Sequence, residues 1–178
     1  MHCRLVNIFG LLLLLVHAPV MALSSDREQP IYIESDELEV DDLNGVSEYR
    51  GAVRFSQGSI HLQADKVIVI EQQQHVQKVV AFGQPVNLRQ LMDEDKGEMR
   101  AMAEKMEYLV ETDSLVLQGD AKLWQGGNEF SGEQIEYHLK NETVVAHSDN
   151  KQESRVRIVI QPKTGTREPE APADESQP

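Results

Sequence analysis

The chain has 178 residues, 40% of them hydrophobic and 5% aromatic, with 30 Asp and Glu against 17 Lys and Arg and a net charge of −13. A surface this acidic repels nucleic acid and anionic membrane faces at long range, which excludes a nucleic-acid-binding role. The only cysteine, Cys3, precedes an apolar run, so a product that loses its N-terminus holds neither disulfides nor thiolate metal sites.

Arg4, the apolar core from Val6 to Val16 and the small-residue exit Val20-Met21-Ala22 read as a secretory signal peptide over residues 1–22. Its apolar run, broken by His17 and Pro19, is shorter than the roughly 20 residues that a spanning helix needs. Residues 23–28 form an N-terminal extension and residues 29–161 one domain with a single core or continuous stack. The rest, 162–178, is rich in Pro, Glu and small polar residues and too poor in apolar surface to fold, so an acidic disordered tail is expected.

From Gln29 onward apolar and polar residues alternate with the strand period of two. Ile31 and Ile33 share one side of the first run, Leu38 and Val40 a side of the second, and Asn44-Gly45 turns the chain. Strand character returns through Tyr49, Val53 and Phe55, turns at Gln57-Gly58, and resumes at Ile60 and Leu62. The run Val67 to Ile70 is apolar on both sides, which predicts a central strand covered on both faces. Pro85 predicts an edge or a strand start, and Val86 and Leu88 alternate beyond it. Residues 92–97 look like an insertion loop. Met99 to Ala103 could pass for helix but is assigned as strand by analogy with its repeat counterparts. Met106, Tyr108 and Val110 share a face; Leu115, Leu117, Leu123 and Trp124 follow, and Gly126-Gly127-Asn128 turns the chain toward Phe130, Ile135, Tyr137 and Leu139. A last alternating run, Arg155 to Ile160, stops at Pro162.

One unit recurs within this pattern. A small residue, an acid, a variable residue and alternating branched or aromatic residues appear at Ser35-Asp36-Glu37-Leu38, Ala64-Asp65-Lys66-Val67, Ala103-Glu104-Lys105-Met106 and Gly132-Glu133-Gln134-Ile135. The acids are 29, 39 and 29 residues apart, within the range of repeat architectures. A glycine follows Asp36 and Glu104 by 15 residues, in Gly51-Ala52-Val53 and Gly119-Asp120-Ala121, and follows Asp65 later, at Gly83. The acids at the strand starts are expected to bond turn amides.

These repeats, the start Gln29-Pro30-Ile31-Tyr32-Ile33-Glu34-Ser35-Asp36 and the Gly119-Asp120-Ala121 anchor together resemble the OstA-like family of periplasmic lipopolysaccharide transport proteins, over about Gln29 to Gln161. Glu104 and Glu133 depart from the aspartate favoured at the repeat acid. The resemblance implies an all-β fold, an open twisted β-jelly roll of two facing antiparallel sheets built from about four repeats. It implies a periplasmic carrier that binds the acyl chains of lipopolysaccharide in an apolar groove. Ile31, Ile33, Leu88, Tyr108 and Val110 match groove-facing positions of the family. Strand alternation adds Val86, Met106, Leu123, Ile135 and Tyr137 as inward candidates, provided that no one-residue slip exchanges the faces. Head-to-tail self-association is also implied. An inner-membrane LptC-type subunit is implied at the N-terminal edge and an outer-membrane LptD-type translocon at the C-terminal edge. The pairing edges are expected at Ile31, Tyr32, Ile33 and Glu34 and at Val156, Ile158 and Ile160.

The residues themselves show no catalytic chemistry. His61, His75, His138 and His147 have no metal-ligand spacing, no serine sits in a nucleophile elbow, and no glycine loop cradles phosphate, so no cofactor and no metal are expected. Two alternatives to a lipid carrier stay open. One is a purely structural assembly or adhesin module without cargo, the other a carbohydrate-active jelly-roll enzyme with a carboxylate pair.

Overall fold

The computed structural model describes residues 25–92, 97–149 and 155–161; the expected signal peptide and acidic tail lie outside them. A short 3₁₀ helix, Ser25–Glu28, precedes ten strands: β1 Ile31–Glu34, β2 Glu37–Asp41, β3 Val46–Gln57, β4 Ile60–Gln72, β5 His75–Leu91, β6 Glu98–Leu109, β7 Ser114–Gln125, β8 Asn128–His138, β9 Thr143–His147 and β10 Arg157–Val159. All pair antiparallel in one sheet of order β1-β3-β4-β5-β6-β7-β8-β10, with β2 also on β3 and β9 also on β8. The stretch around Met99 to Ala103 is strand, inside β6.

The six long strands break register at one level. The shifts fall between Arg50 and Val53, Gln63 and Lys66, Phe82 and Val86, Met102 and Lys105, and Gln118 and Ala121. Bulges bend a strand and increase its twist, so a line of them creases the whole sheet. On one side of the crease lies arm A, edged by β1 and β10; on the other lies arm B, edged by β2 and β9. The two facing layers are therefore the halves of one folded sheet. Their inner surfaces form one core that includes Val53, Val86, Met99 and Leu123 of arm A and Val67, Met106, Leu117, Ile135 and Tyr137 of arm B. Gln125 Nε2 donates to Tyr137 Oη at 2.7 Å, tying arm A to arm B across the interior.

Local chemistry places the crease. Gly51 and Ala52 have φ of +81° and +43°, and Gly119 and Asp120 have +78° and +43°, a backbone state that only glycine adopts at little cost. A methyl at Gly51 would lie 2.8 Å from the Asp36 Cβ, and one at Gly119 2.9 Å from the Glu104 Cβ. The 15-residue offset is thus a contact: at these two repeats the acid lies over the glycine of the following strand. The backbone N–H of Asp36 also donates to the carbonyls of Arg50 and Gly51, at 3.0 and 3.1 Å. No side-chain hydrogen bond to a turn amide is found at Asp36, Asp65, Glu104 or Glu133 among the described residues; Asp36 and Glu104 instead cover a glycine.

Two other expectations change. Pro85 sits within β5, between two neighbouring strands and not at an edge. It is tolerated because the register shift between Phe82 and Val86 removes it from the ladder. Val67 and Val69 face the core, but Ile68 lies on the outer surface of arm B beside Glu48 and Val80, without a second layer above it. That surface is a lattice of ion pairs: Arg50 to Glu48 (2.7 Å) and Glu39 (3.1 Å), Lys66 to Glu48 (3.5 Å), Lys78 to Glu107 (2.8 Å), and Lys105 to Glu107. Lys66 and Lys105 also lie over the Phe82 ring, 5.0 and 5.8 Å from its centroid.

The 3₁₀ helix is fastened to the β3–β4 turn through Asp26, whose carboxylate accepts from Ser59 N–H (2.7 Å), Ser59 Oγ (2.7 Å) and Gln90 Nε2 (3.4 Å). Burial pushes the Asp26 carboxyl up, but these donors outweigh it and hold the group below its ordinary value of 3.8. Donation from Arg50 lowers Glu48, and donation from Lys105 and Lys78 lowers Glu107.

Gly51→Ala and Gly119→Ala are each expected to destabilise by about 1–3 kcal/mol, measured by urea denaturation, and Asp36→Gly should restore part of the Gly51→Ala loss. A carboxyl depressed in the folded state stabilises fully above its unfolded pKa, and that share is lost as pH falls through the folded value. Wild-type denaturation midpoints should therefore drop as pH falls below the ordinary carboxylate values of 3.8 to 4.5. Asp26→Asn should flatten the drop, and an unchanged slope would refute the Asp26 contribution.

Candidate functional site

Cross-strand pairing resolves the interior into apolar rows that run the full width of the sheet. In arm A one row passes through Ile33, Phe55, Leu62, Leu88, Ala101, Leu123, Phe130 and Ile158, one residue per strand from β1 to β10. In arm B a second passes through Leu38, Tyr49, Val67, Ala81, Met106, Leu117, Ile135 and Ala146, from β2 to β9. A third, beside it, holds Val40, Ser47, Val69, Val79, Tyr108, Leu115, Tyr137 and Val144. Neighbours in such a row are about 5 Å apart, close enough for continuous side-chain contact.

The ten residues expected to face the groove fall into three environments. Val86, Met106, Leu123, Ile135 and Tyr137 are 0–2% exposed, in the packed middle of the interior. Ile33, Leu88 and Tyr108 are half-buried against it. Ile31 is 51% exposed on the β1 edge, and Val110 is 38% exposed, just past the end of β6. Tyr108 Oη donates to Asp113 Oδ1 at 2.8 Å, which orients that ring near the β6–β7 turn.

Phe55, Leu62, Ala101 and Phe130, together with Tyr49, Val67 and Leu117, are interior residues that sequence reasoning did not assign to the groove. A signal for several of them existed. Counting from the repeat acids at 36, 65, 104 and 133, the residue three before is Ile33, Leu62, Ala101 or Phe130, all in the arm A row. The residue two after is Leu38, Val67, Met106 or Ile135, and four after comes Val40, Val69, Tyr108 or Tyr137, in the two arm B rows. An odd offset on one side and even offsets on the other mark a bulge at each acid.

The rows end at open edges. At one end of the strand order, Ile31, Leu38 and Val40 are 51–57% exposed; at the other end Ile158 is 52% and Ile160 73% exposed. Of the expected C-terminal edge, Ile158 lies within β10, and Val156 and Ile160 flank it. Glu34 and Arg157 belong to the same outward-facing row of arm A, at its two ends. Arg54 pairs with Glu34 at 3.6 Å. Among the described residues no group of three or more His, Cys, Asp or Glu converges as a metal site needs.

Comparison with known proteins agrees with this geometry. Residues 32–143 match the family model described as LptA/(LptD N-terminal domain) LPS transport protein. The lipopolysaccharide export system protein LptH of Pseudomonas aeruginosa is 36% identical over 162 residues, covering 88% of this chain and 93% of that protein. Its Escherichia coli K12 counterpart, the export system protein LptA, is 34% identical over 152 residues, covering 84% and 80%. The crystal structure of P. aeruginosa LptH, described as the LptA-homologous periplasmic component of the lipopolysaccharide transport device, superposes with a TM-score of 0.70 at 35% identity and covers 78% of this chain and 99% of that one. With its creased sheet, its interior rows and a family match over most of its described residues, the chain belongs to the LptA/(LptD N-terminal domain) family of lipopolysaccharide transport proteins.

Proposed function

We propose that this protein is a non-catalytic periplasmic component of lipopolysaccharide export that shelters acyl chains between arms A and B and joins other β-folds through its open edges. The observation that carries this reading is the pair of unbroken apolar rows that end at Ile33 and exposed Ile158 in arm A and at exposed Leu38 and at Ala146 in arm B. Leaving one methylene in water costs about 0.8 kcal/mol, so a chain of a dozen carbons costs on the order of 10 kcal/mol. A multi-chain lipid therefore needs a continuous apolar lining to cross an aqueous space.

Entry of a tail requires the arms to part, because the middle of the interior is filled. The strand ladders run within each arm, whereas the arms hold each other by side-chain packing and by the Gln125–Tyr137 hydrogen bond. Opening about the crease thus spares the ladders and exchanges protein–protein apolar contact for protein–lipid contact. That filled middle also favours a second reading, a structural stack without cargo. A photo-crosslinking residue at Leu88 or Tyr108 should capture lipopolysaccharide, while one at Glu107, on the outer face, should not; capture from Glu107 alone would favour the stack.

For assembly, the strand order supplies direction and register. Strands alternate in sense from β1 to β10, so β1 of a following protomer continues the alternation when it pairs antiparallel with β10. Extending the rows across that junction sets Arg157 opposite Glu34, Ile158 opposite Ile33 and Val159 opposite Tyr32. In arm B the same extension sets Ala146 opposite Leu38, Val144 opposite Val40 and His147 opposite Glu37. Apolar residues meet on the inner face and Arg157 meets Glu34 on the outer one, the kind of pairing that favours strand addition. In this proposal the β1/β2 edge receives the LptC-type subunit and the β9/β10 edge the LptD-type translocon that the family resemblance implies. Arg157→Glu should weaken concentration-dependent self-association in analytical ultracentrifugation by about two- to tenfold, and Glu34→Arg in the same chain should restore it. A wild-type protein monomeric at every accessible concentration would sink the end-to-end arrangement.

A further inference from the structure

We propose that the outer face of arm A is a binding site for anionic saccharide, a phosphate-bearing sugar, held between Arg89, Arg100 and Arg54 with the Trp124 indole against its apolar ring face. The groove borders the arm A interior row at Phe55, Leu62, Leu88 and Ala101, but its polar groups lie on the two outward rows either side of it, and the inference stands whether or not tails enter between the arms.

The first observation is the contrast between the two outer faces. On arm B the cations Arg50, Lys66, Lys78 and Lys105 are all engaged in ion pairs. On arm A, Arg89, Lys122 and Arg157 have no ion-pair partner among the described residues, while Arg54 pairs with Glu34 at 3.6 Å and Arg100 with Glu98 at 3.9 Å. In a chain of net charge −13, a face where Arg89 has no carboxylate partner and Arg54 and Arg100 have one each at its rim is available for an external anion.

The second is register. His61, Arg89, Arg100 and Trp124 are successive residues of one outward row, so Arg89 lies directly opposite Arg100 on one neighbouring strand and opposite His61 on the other. Like charges directly opposite in an antiparallel sheet destabilise it, and nothing in the packing requires this pair. A bound anion converts the repulsion into a two-point clamp, since the planar guanidinium fork matches phosphate oxygens.

The third is shape. A groove of about 850 Å³ is lined by Tyr32, Arg54, His61, Arg89, Arg100 and Trp124, among others, within the range of about 300–1,000 Å³ typical of small-molecule sites. Arg100 lies 5.5 Å from the centroid of the Trp124 ring, which stiffens both groups. A pyranose has an apolar C–H face for an indole and hydroxyls for Gln63 and Asn87, which also line the groove. An acidic peptide could satisfy the arginines but offers nothing rigid and flat to the tryptophan.

Trp124 is the only tryptophan, so its fluorescence reports this site alone. Titration of the full-length mature protein with glucose 6-phosphate should change that fluorescence saturably, with glucose giving no change over the same range and inorganic phosphate a weaker one. Arg89→Gln and Arg100→Gln should each weaken the response about two- to fivefold, and raised salt should weaken it further. Intact lipopolysaccharide then identifies the source of the sugar. If the headgroup of carried glycolipid occupies the groove, lipopolysaccharide also perturbs Trp124, and Arg89→Gln reduces that signal while tail crosslinking at Tyr108, which does not line the groove, persists. If the saccharide is free, glucose 6-phosphate perturbs Trp124 and lipopolysaccharide does not. No response or an unsaturable response to glucose 6-phosphate, an equal response in both arginine variants, or a response to a poly-glutamate peptide without one to glucose 6-phosphate would overturn the proposal, and none of these outcomes bears on tail capture at Tyr108.

Discussion

The crease is the constraint from which the rest of the structure follows. A ten-stranded antiparallel sheet left straight would expose one entire apolar face, and exposure on that scale is incompatible with a folded chain in water. Register shifts at one level in β3 to β8 fold the sheet so that it covers itself. Where the path is tightest, at Gly51 and Gly119, positive φ and the close approach of Asp36 and Glu104 leave no room for a side chain. The repeat acid and the glycine are therefore two halves of one device, and their 15-residue offset is the length of the hairpin that brings them together.

Folding by creasing also leaves two edges. A barrel abolishes its edges by closing; a folded open sheet keeps β1 and β2 at one end and β9 and β10 at the other. In this protein those edges are short and carry charges such as Glu34, Glu37, Glu39 and Arg157, which discourage unspecific pairing, while Ile33 and Ile158 stay in line with the interior row of arm A. Charge on the outside and apolar alignment on the inside together select a partner that is itself a creased sheet of the same kind. The interior and the edges are in this sense one site, because the rows that fill the middle are the rows that surface at the ends.

The outer faces divide the charge unequally. Arm B resolves its cations in a lattice around Glu48 and Glu107, whose lowered pKa values reflect the donors beside them. Arm A leaves arginines facing one another around a groove floored by strand backbone. Such an imbalance is invisible in net charge, which is dominated by acids elsewhere, and emerges only when pairing places residues from β4, β5, β6 and β7 in one row.

Strand period, turn chemistry and the four-fold acid motif are local properties, so the sequence alone determined that the chain is all-β, that it is built from repeats, and which family it resembles. Which side of each strand faces inward was decided by tertiary structure, because each bulge reverses the parity of everything beyond it: Leu62 and Val67 share a surface although they are an odd offset, five positions, apart. For the same reason Val110, in step with Met106 and Tyr108 along the chain, leaves the interior as soon as β6 ends at Leu109. Pro85 in mid-sheet and Ile68 on an outer face likewise depend on where the register slips. The pairing of Arg89 with Arg100 and the reach of Gln125 to Tyr137 join residues that only folding brings together, since alternation along one strand carries no information about what lies on the next.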